Sequence, residues 1–327
     1  MLNEQRLDQL RQEAASRGTV AGNGVDVAGG PIPRKPGYYG QPVVKPPVWT
    51  WEIPIYFFIG GLAGMSAVIA AAAAIFHYAE MARTAMSMAA AGTLISPILL
   101  ILDLGRPRLF INMLRVFKPQ SAMSMGVWIL TLFGASVIPG LAALELHRVH
   151  FFSGVGDEIM RITAGVFIAG SAMFGMLLAT YTGVLIGATA IPAWFLHRTL
   201  LPIHFGVAGL GSAAAVLELL GHGVPVLNAL GLFAAGVETV LMMWLTFDRH
   251  GPADRACHHG VPGWTIRFGE LLTGPLSLIL RLLGFVPIAG ICFLAGALVS
   301  RFGWLGAGKT SGSDPVAVFA SQNTTPA

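Results

Sequence analysis

Charge is what this 327-residue chain most lacks: Asp, Glu, Lys and Arg make up 11% of it, where an ordinary soluble domain carries about 25%. With 54% hydrophobic residues and a mean hydropathy of +0.69, it reads as an integral membrane protein. Cysteine is nearly absent too. Cys257 and Cys292 lie far apart and form no Cys-x-x-Cys pair, so spacing offers no ligand set for a cysteine-bound iron–sulfur cluster or a structural zinc. Any such centre is expected in a partner. Residues 1–48 lack an apolar h-region and a twin-arginine pattern, which argues against a cleaved signal. No inverted repeat stands out, and that weighs against a secondary transporter.

Long apolar runs are what the chain has. Ile53–Tyr78, Ala85–Leu102, Ser124–Leu146, Ile162–Tyr181, Leu200–Leu220 and Val224–Phe247 each approach or exceed the roughly 20 residues that cross a hydrocarbon core. Gly284–Ser300 is a seventh. Ile266–Leu283 is a weaker eighth, since it carries Glu270 and a Gly274-Pro275 break. The expected fold is therefore all-α, a polytopic transmembrane helix bundle of about eight spans. A polar arm over 1–48, stiffened by Pro31, Pro33, Pro36, Pro42, Pro46 and Pro47, precedes a bundle over 49–303 and a polar tail over 304–327. The 41 glycines and the Gly60-x-x-x-Gly64 spacing predict close helix approach. The expected surroundings are lipid, not nucleic acid.

Eight spans put both termini on one face, and all but Arg83, Arg148, Arg161 and Arg281 of the 20 Lys and Arg then belong to it. If the run at 266–283 does not cross, the C-terminus changes sides and the asymmetry survives. The positive-inside rule makes that face cytoplasmic and the protein a multi-pass protein of the cytoplasmic membrane. A docking surface for a soluble subunit would demand the same cations.

Polar residues that lipid rejects gather on this face. Asp103-Leu104-Gly105-Arg106-Pro107-Arg108 ends the second span, with Arg115 and Lys118 a few residues on. A topogenic loop needs cations but neither an acid nor a rigid Gly-Arg-Pro turn. Trp49, Trp51 and Glu52 open the first span, Tyr181 and Thr182 close the fourth, His197 and Arg198 precede the fifth, and His204 lies one turn inside it. The tryptophans serve equally as interfacial anchors. Glu238 stands about halfway along the sixth span, where a charge costs on the order of 2.5–3.5 kcal/mol. It is expected to be neutral, paired or beside water, as a proton relay or a structural hydrogen bond. Glu145 and Glu218 read as interfacial at the opposite face. His77 and His204 fall at opposite ends of the bundle and cannot share a haem. Cys257-His258-His259 has no further metal ligand at fixed spacing, which favours a solvated loop.

Together these stretches resemble the NrfD family, the integral membrane subunits of polysulfide-reductase-type complexes. The resemblance is carried by Lys45–Pro54 leading into Tyr56–Gly64, by Asp103–Arg108 continuing through Phe110–Pro119, by Thr180–Leu185, and by Ala307–Lys309 with Asp314–Phe319. It implies an eight-helix quinone-reactive anchor with no haem or iron–sulfur cluster of its own. It also implies a ferredoxin-like partner with four 4Fe-4S clusters and a molybdopterin catalytic subunit, formate-dehydrogenase-like or polysulfide-reductase-like. Relatives are often drawn with the partner-bearing face toward the periplasm, against the cation count. On this reading the pocket for menaquinone or ubiquinone lies at the face of Asp103 and Tyr181. Tyr181 and His204 are the expected donors to its carbonyl oxygens, with Trp51 and Arg106 beside it. Asp103, Glu52 and Glu238 are the proton-transfer candidates, and Arg106 is expected to hold Asp103 ionised. Arg108, Arg115 and Lys118 are the docking candidates. A small-anion transporter, or an anchor without quinone chemistry, are the alternatives.

Overall fold

The computed structural model describes residues 43–45, 48–104, 107–247 and 251–323, and the chain is helical with no strand among them. The proline-rich arm expected over 1–48 and the Gly105-Arg106 step lie almost entirely outside the described residues.

Helix α1 (Glu52–Ile75) is followed by α2 (Ala79–Asp103), a 3-10 segment (Pro107–Leu114), α3 (Ala122–Arg148) and α4 (Val155–Gly187). A five-residue helix α5 (Pro192–Leu196) leads to α6 (Leu200–Leu219) and α7 (Pro225–Phe247). Beyond a 3-10 turn (Gly251–Asp254) and a short α8 (Arg255–His258), α9 (Gly260–Leu271) passes through a π turn (Leu272–Leu276) into α10 (Ser277–Leu282). The chain then enters α11 (Val286–Ser313) and α12 (Pro315–Asn323).

Seven of the described helices, α1, α2, α3, α4, α6, α7 and α11, are long and apolar enough to cross a membrane. Their outer faces carry exposed Leu94, Ile98, Val166, Val240 and Ile291, the surface that hydrocarbon requires. The eighth crossing is the broken run α9–π–α10. Its two ends reach opposite ends of the bundle: His258, just before it, joins the cluster around His197 ahead of α6, while Arg281 near its end pairs with Glu218 at the close of α6. The Gly274-Pro275 break is the π turn itself. A wider turn accommodates proline's missing N–H, and the Ser277 hydroxyl donates to the Leu272 carbonyl at 2.7 Å, returning a partner to a freed backbone group.

Small residues set the helix crossings. A Cβ added at Gly64 of α1 would stand 2.2 Å from the Gly175 carbonyl oxygen of α4, and one at Gly175 would stand 2.4 Å from that of Gly64. The two backbones touch directly. On another side Gly209 of α6 lies close to α1, where an added Cβ would stand 2.7 Å from the Gly61 carbonyl oxygen, so α1 is held on two sides. Gly60, half of the motif that drew attention in the sequence, faces only its own Tyr56 and Ser96. Gly64→Leu is expected to force α1 and α4 apart and cost about 1–3 kcal/mol or more, read as loss of monodisperse protein in detergent. Gly165→Leu, at a position with nothing within 4 Å, is the tolerated control.

The polar tail expected from residue 304 is instead the end of α11. Trp304, Ala307 and Gly308 are buried there, and the Trp194 indole N–H donates to the Trp304 carbonyl at 2.7 Å. Alanine and glycine lowered the apparent hydrophobicity of this stretch while allowing the close packing that buries it.

Candidate functional site

Five segments end at one extremity of the bundle, and a largely apolar cleft lies between them. Trp49, Ile53, Tyr56 and Phe57 come from the start of α1, and Leu100, Asp103 and Leu104 from the end of α2. Phe110 and Met113 of the 3-10 segment, Met123, Gly126 and Val127 of α3, and Tyr181 and Leu185 of α4 complete the wall. The lining is apolar apart from two phenol hydroxyls deep inside, the Trp49 indole and a carboxylate at the mouth.

Tyr181 closes the end of α4, where its hydroxyl donates to the Ala122 carbonyl at 2.7 Å. Gly126 makes room for the ring, since a Cβ there would lie 2.0 Å from the Tyr181 Cζ. The phenol proton is thus committed to the protein backbone. Tyr56, 2% exposed, is different. Among the described residues its hydroxyl makes no hydrogen bond and remains a free donor. Trp49 stacks on Trp194 with centroids 5.6 Å apart and meets Phe57 edge-on, which fixes the cleft's outer wall.

At the mouth, Thr50 ties two acids together. Its N–H donates to Asp103 Oδ1 at 3.2 Å, and its hydroxyl reaches both the Asp103 and Glu52 carboxylates. Asp103 is half-buried and Thr50 exposed, so the chain Asp103–Thr50–Glu52 runs from cleft to solvent. Arg106, expected to hold Asp103 ionised, lies outside the described residues, as does the Arg108 side chain. Arg115 and Lys118 are exposed on the same face. Trp51 is 57% exposed and does not line the cleft.

His204 and Glu238 also lie away from the cleft. They pair with each other in the core between α6, α7 and α11, with His204 Nδ1 2.8 Å from Glu238 Oε2. Arg301 of α11 completes this buried group: one guanidinium nitrogen is 3.5 Å from His204 Nε2, another donates to the Phe205 carbonyl at 3.2 Å, and the guanidinium carbon sits 3.8 Å from the Phe205 ring centre. Among the described residues Glu238 Oε1 is buried with no hydrogen-bond partner. The mid-span acid is therefore paired, as its depth demands. Its partner is the histidine expected in the cleft, and that histidine in turn meets an arginine that reads in sequence as one more surface cation.

Away from the cleft, Arg83 and Arg148 hold Glu145, while Arg281 grips Glu218 with both guanidinium nitrogens at 2.8 Å and Asn228 at 3.0 Å. His222 contacts Thr84, and His147 contacts Asp157. The loop expected to be solvated at 257–259 is in large part buried. Asp254 Oδ1 lies 2.7 Å from His197 Nε2 and its Oδ2 2.7 Å from His258 Nε2, and Cys257 is 1% exposed. Burial raises the Asp254 carboxyl, but the hydrogen bonds and charges of His197 and His258 together reverse this and hold it below the usual carboxylate range. Burial pushes the Cys257 thiol well up, with Asp254 adding to the effect.

Of the residues singled out in sequence as site candidates, Asp103 and Tyr181 line the cleft; Trp49, read there as anchor or site residue alike, lines it too, and Tyr56 was not singled out. The signal was present, because Tyr56 is the one hydroxyl in the run Ile53–Ile59 and stands one turn after Ile53. A tyrosine four residues inside a span reads as an ordinary apolar filler.

Two comparisons bear on this arrangement. Residues 41–310 match the family model described as polysulphide reductase, NrfD. The protein NrfD of Escherichia coli (strain K12) is 25% identical over 186 residues, covering 52% of this chain and 58% of that protein. The match spans a little over half the length of that curated relative.

Proposed function

The chain belongs to the NrfD polysulphide reductase family, and from that premise we propose that it is the quinone-reactive membrane subunit of an oxidoreductase complex. In this reading the cleft takes the quinone ring, a four-cluster 4Fe-4S subunit docks over it, and a molybdopterin subunit beyond carries the substrate chemistry. The complex sits in the cytoplasmic membrane.

The observation that carries the proposal is the unpaired Tyr56 hydroxyl inside an apolar cleft whose mouth bears Asp103. A quinone needs an apolar slot, a donor for a carbonyl oxygen and a path for two protons. Tyr56 supplies the donor. The Tyr181 oxygen, its own proton held by Ala122, accepts from the hydroxyl of a bound quinol. Each quinol oxidised gives two electrons to the partner's cluster and two protons to the Asp103–Thr50–Glu52 chain, and quinone reduction runs the same steps backwards. The exposed Arg115 and Lys118 face the docked subunit.

His204 and Glu238 form a second acid–base pair buried beyond the cleft, and we assign it proton transfer within the bundle rather than contact with the quinone. An anion-transport reading gains nothing here, since the apolar cleft wall offers an anion no described cation.

The test compares quinone-linked turnover with dye-linked turnover of the catalytic subunit in the purified complex. Asp103→Asn removes the proton acceptor but keeps the shape, and it is expected to slow the quinone-linked rate about 10²-fold or more, in the range for loss of a general acid–base group. Dye-linked turnover should persist. Equal loss of both rates, or loss of neither, would remove the cleft from the electron path.

A further inference from the structure

The buried cluster between α5 and α9 takes no part in the cleft chemistry, and four side chains with metal-binding atoms converge in it. We propose that His197 Nε2, Asp254 Oδ1 and Cys257 Sγ form a site for one zinc-class divalent cation, with His258 fixing the other carboxylate oxygen.

Asp254 and Cys257 stand three residues apart where the 3-10 turn runs into α8, and folding brings His197, from the turn between α5 and α6, to them. The ligand that the local sequence does not supply is His197, 57 positions before Asp254. The three donor atoms lie within 4.8 Å of one another. Ligands about 2.0–2.3 Å from zinc stand roughly 3.3–3.6 Å apart in a tetrahedron, so the cluster meets the required geometry through shifts on the order of 1 Å. His197 Nε2 and Asp254 Oδ1, now 2.7 Å apart, open slightly while Cys257 closes in.

Donor chemistry narrows the cation. One imidazole, one carboxylate and one thiolate suit zinc, and they are poor ligands for magnesium or calcium, which take oxygen alone. Charge balances: a divalent ion, the Asp254 carboxylate and the Cys257 thiolate sum to zero, with the thiol proton released to water. A water molecule takes the fourth position. His258, donating to Asp254 Oδ2 at 2.7 Å, has the place of an outer partner that orients a ligating carboxylate. An open cavity lined by Arg255, His258, His259 and Asp314 borders the cluster on its solvent side.

The purified full chain in detergent, saturated with zinc and desalted, is expected to retain about one zinc per chain by elemental analysis. Cobalt(II) loading should give a thiolate-to-cobalt charge-transfer band in the near ultraviolet. Cys257→Ser should abolish the band and lower zinc affinity at least tenfold. His258→Gln should keep the band and weaken binding about 10- to 100-fold. Wild-type protein without the band, or zinc retention unchanged by Cys257→Ser, would overturn the proposal and leave an adventitious ion only. Should the serine variant fail to fold, the wild-type cobalt spectrum alone decides.

Discussion

Tyr56→Phe is expected to lower quinone-linked turnover about 10- to 100-fold while leaving assembly and dye-linked turnover intact. The substitution removes one oxygen atom from a ring that already packs against Phe57 at a centroid distance of 5.7 Å, so the cleft keeps its shape. In the proposed site the lost donor would face a quinone carbonyl oxygen on which negative charge develops, and a hydrogen bond to a charged group is worth roughly 1.5–3 kcal/mol. At about 1.4 kcal/mol per factor of ten, that range brackets the expected loss. Tyr181→Phe offers the instructive contrast. Its hydroxyl also ties α4 to the start of α3 through Ala122, so its loss should slow quinone turnover and lower thermal stability together. A Tyr56→Phe complex with wild-type quinone kinetics would leave the free hydroxyl without a role.

Arg301→Met should be the most destabilising single change in the second half of the bundle. Arg301 is 1% exposed and lies beside His204 and Glu238. Removing one member of a buried charged group strands the other, at a cost of about 3–5 kcal/mol. Glu238→Gln, which neutralises the stranded carboxylate, should recover most of that loss in the double variant. The readout is the thermal midpoint of the purified protein in detergent, compared across a double-mutant cycle. Additive losses in the double variant would mean that the two side chains do not act as a unit.

Much of this architecture was legible in the residues. Apolar runs bounded by polar ends gave the crossings, and the acid–glycine–base–proline edge at Asp103 marked the extremity where the cleft lies. Those signals are local in the chain. What stayed hidden was pairing at a distance, since His204 and Arg301 lie 97 positions apart and nothing in either neighbourhood names the other. The same holds for His197 with Asp254. Tyr56 was hidden for a different reason: the use of a hydroxyl depends on what it fails to touch. The tail misread its own burial because Ala, Gly and Ser in 305–313 look polar in sum yet pack closely when helical.

The backbone contact of α1 with both α4 and α6 has a consequence for inhibitor selection. Tyr56 is carried by the same helix that Gly61 and Gly64 clamp on two sides, so the floor of the cleft cannot escape a tight-binding quinol mimic by sliding that helix. Resistance should therefore arise at side chains of the rim, Met113, Met123 and Leu185, which can change bulk without disturbing a crossing. Escape substitutions on α1 itself should be rare and should carry a fitness defect even without the drug.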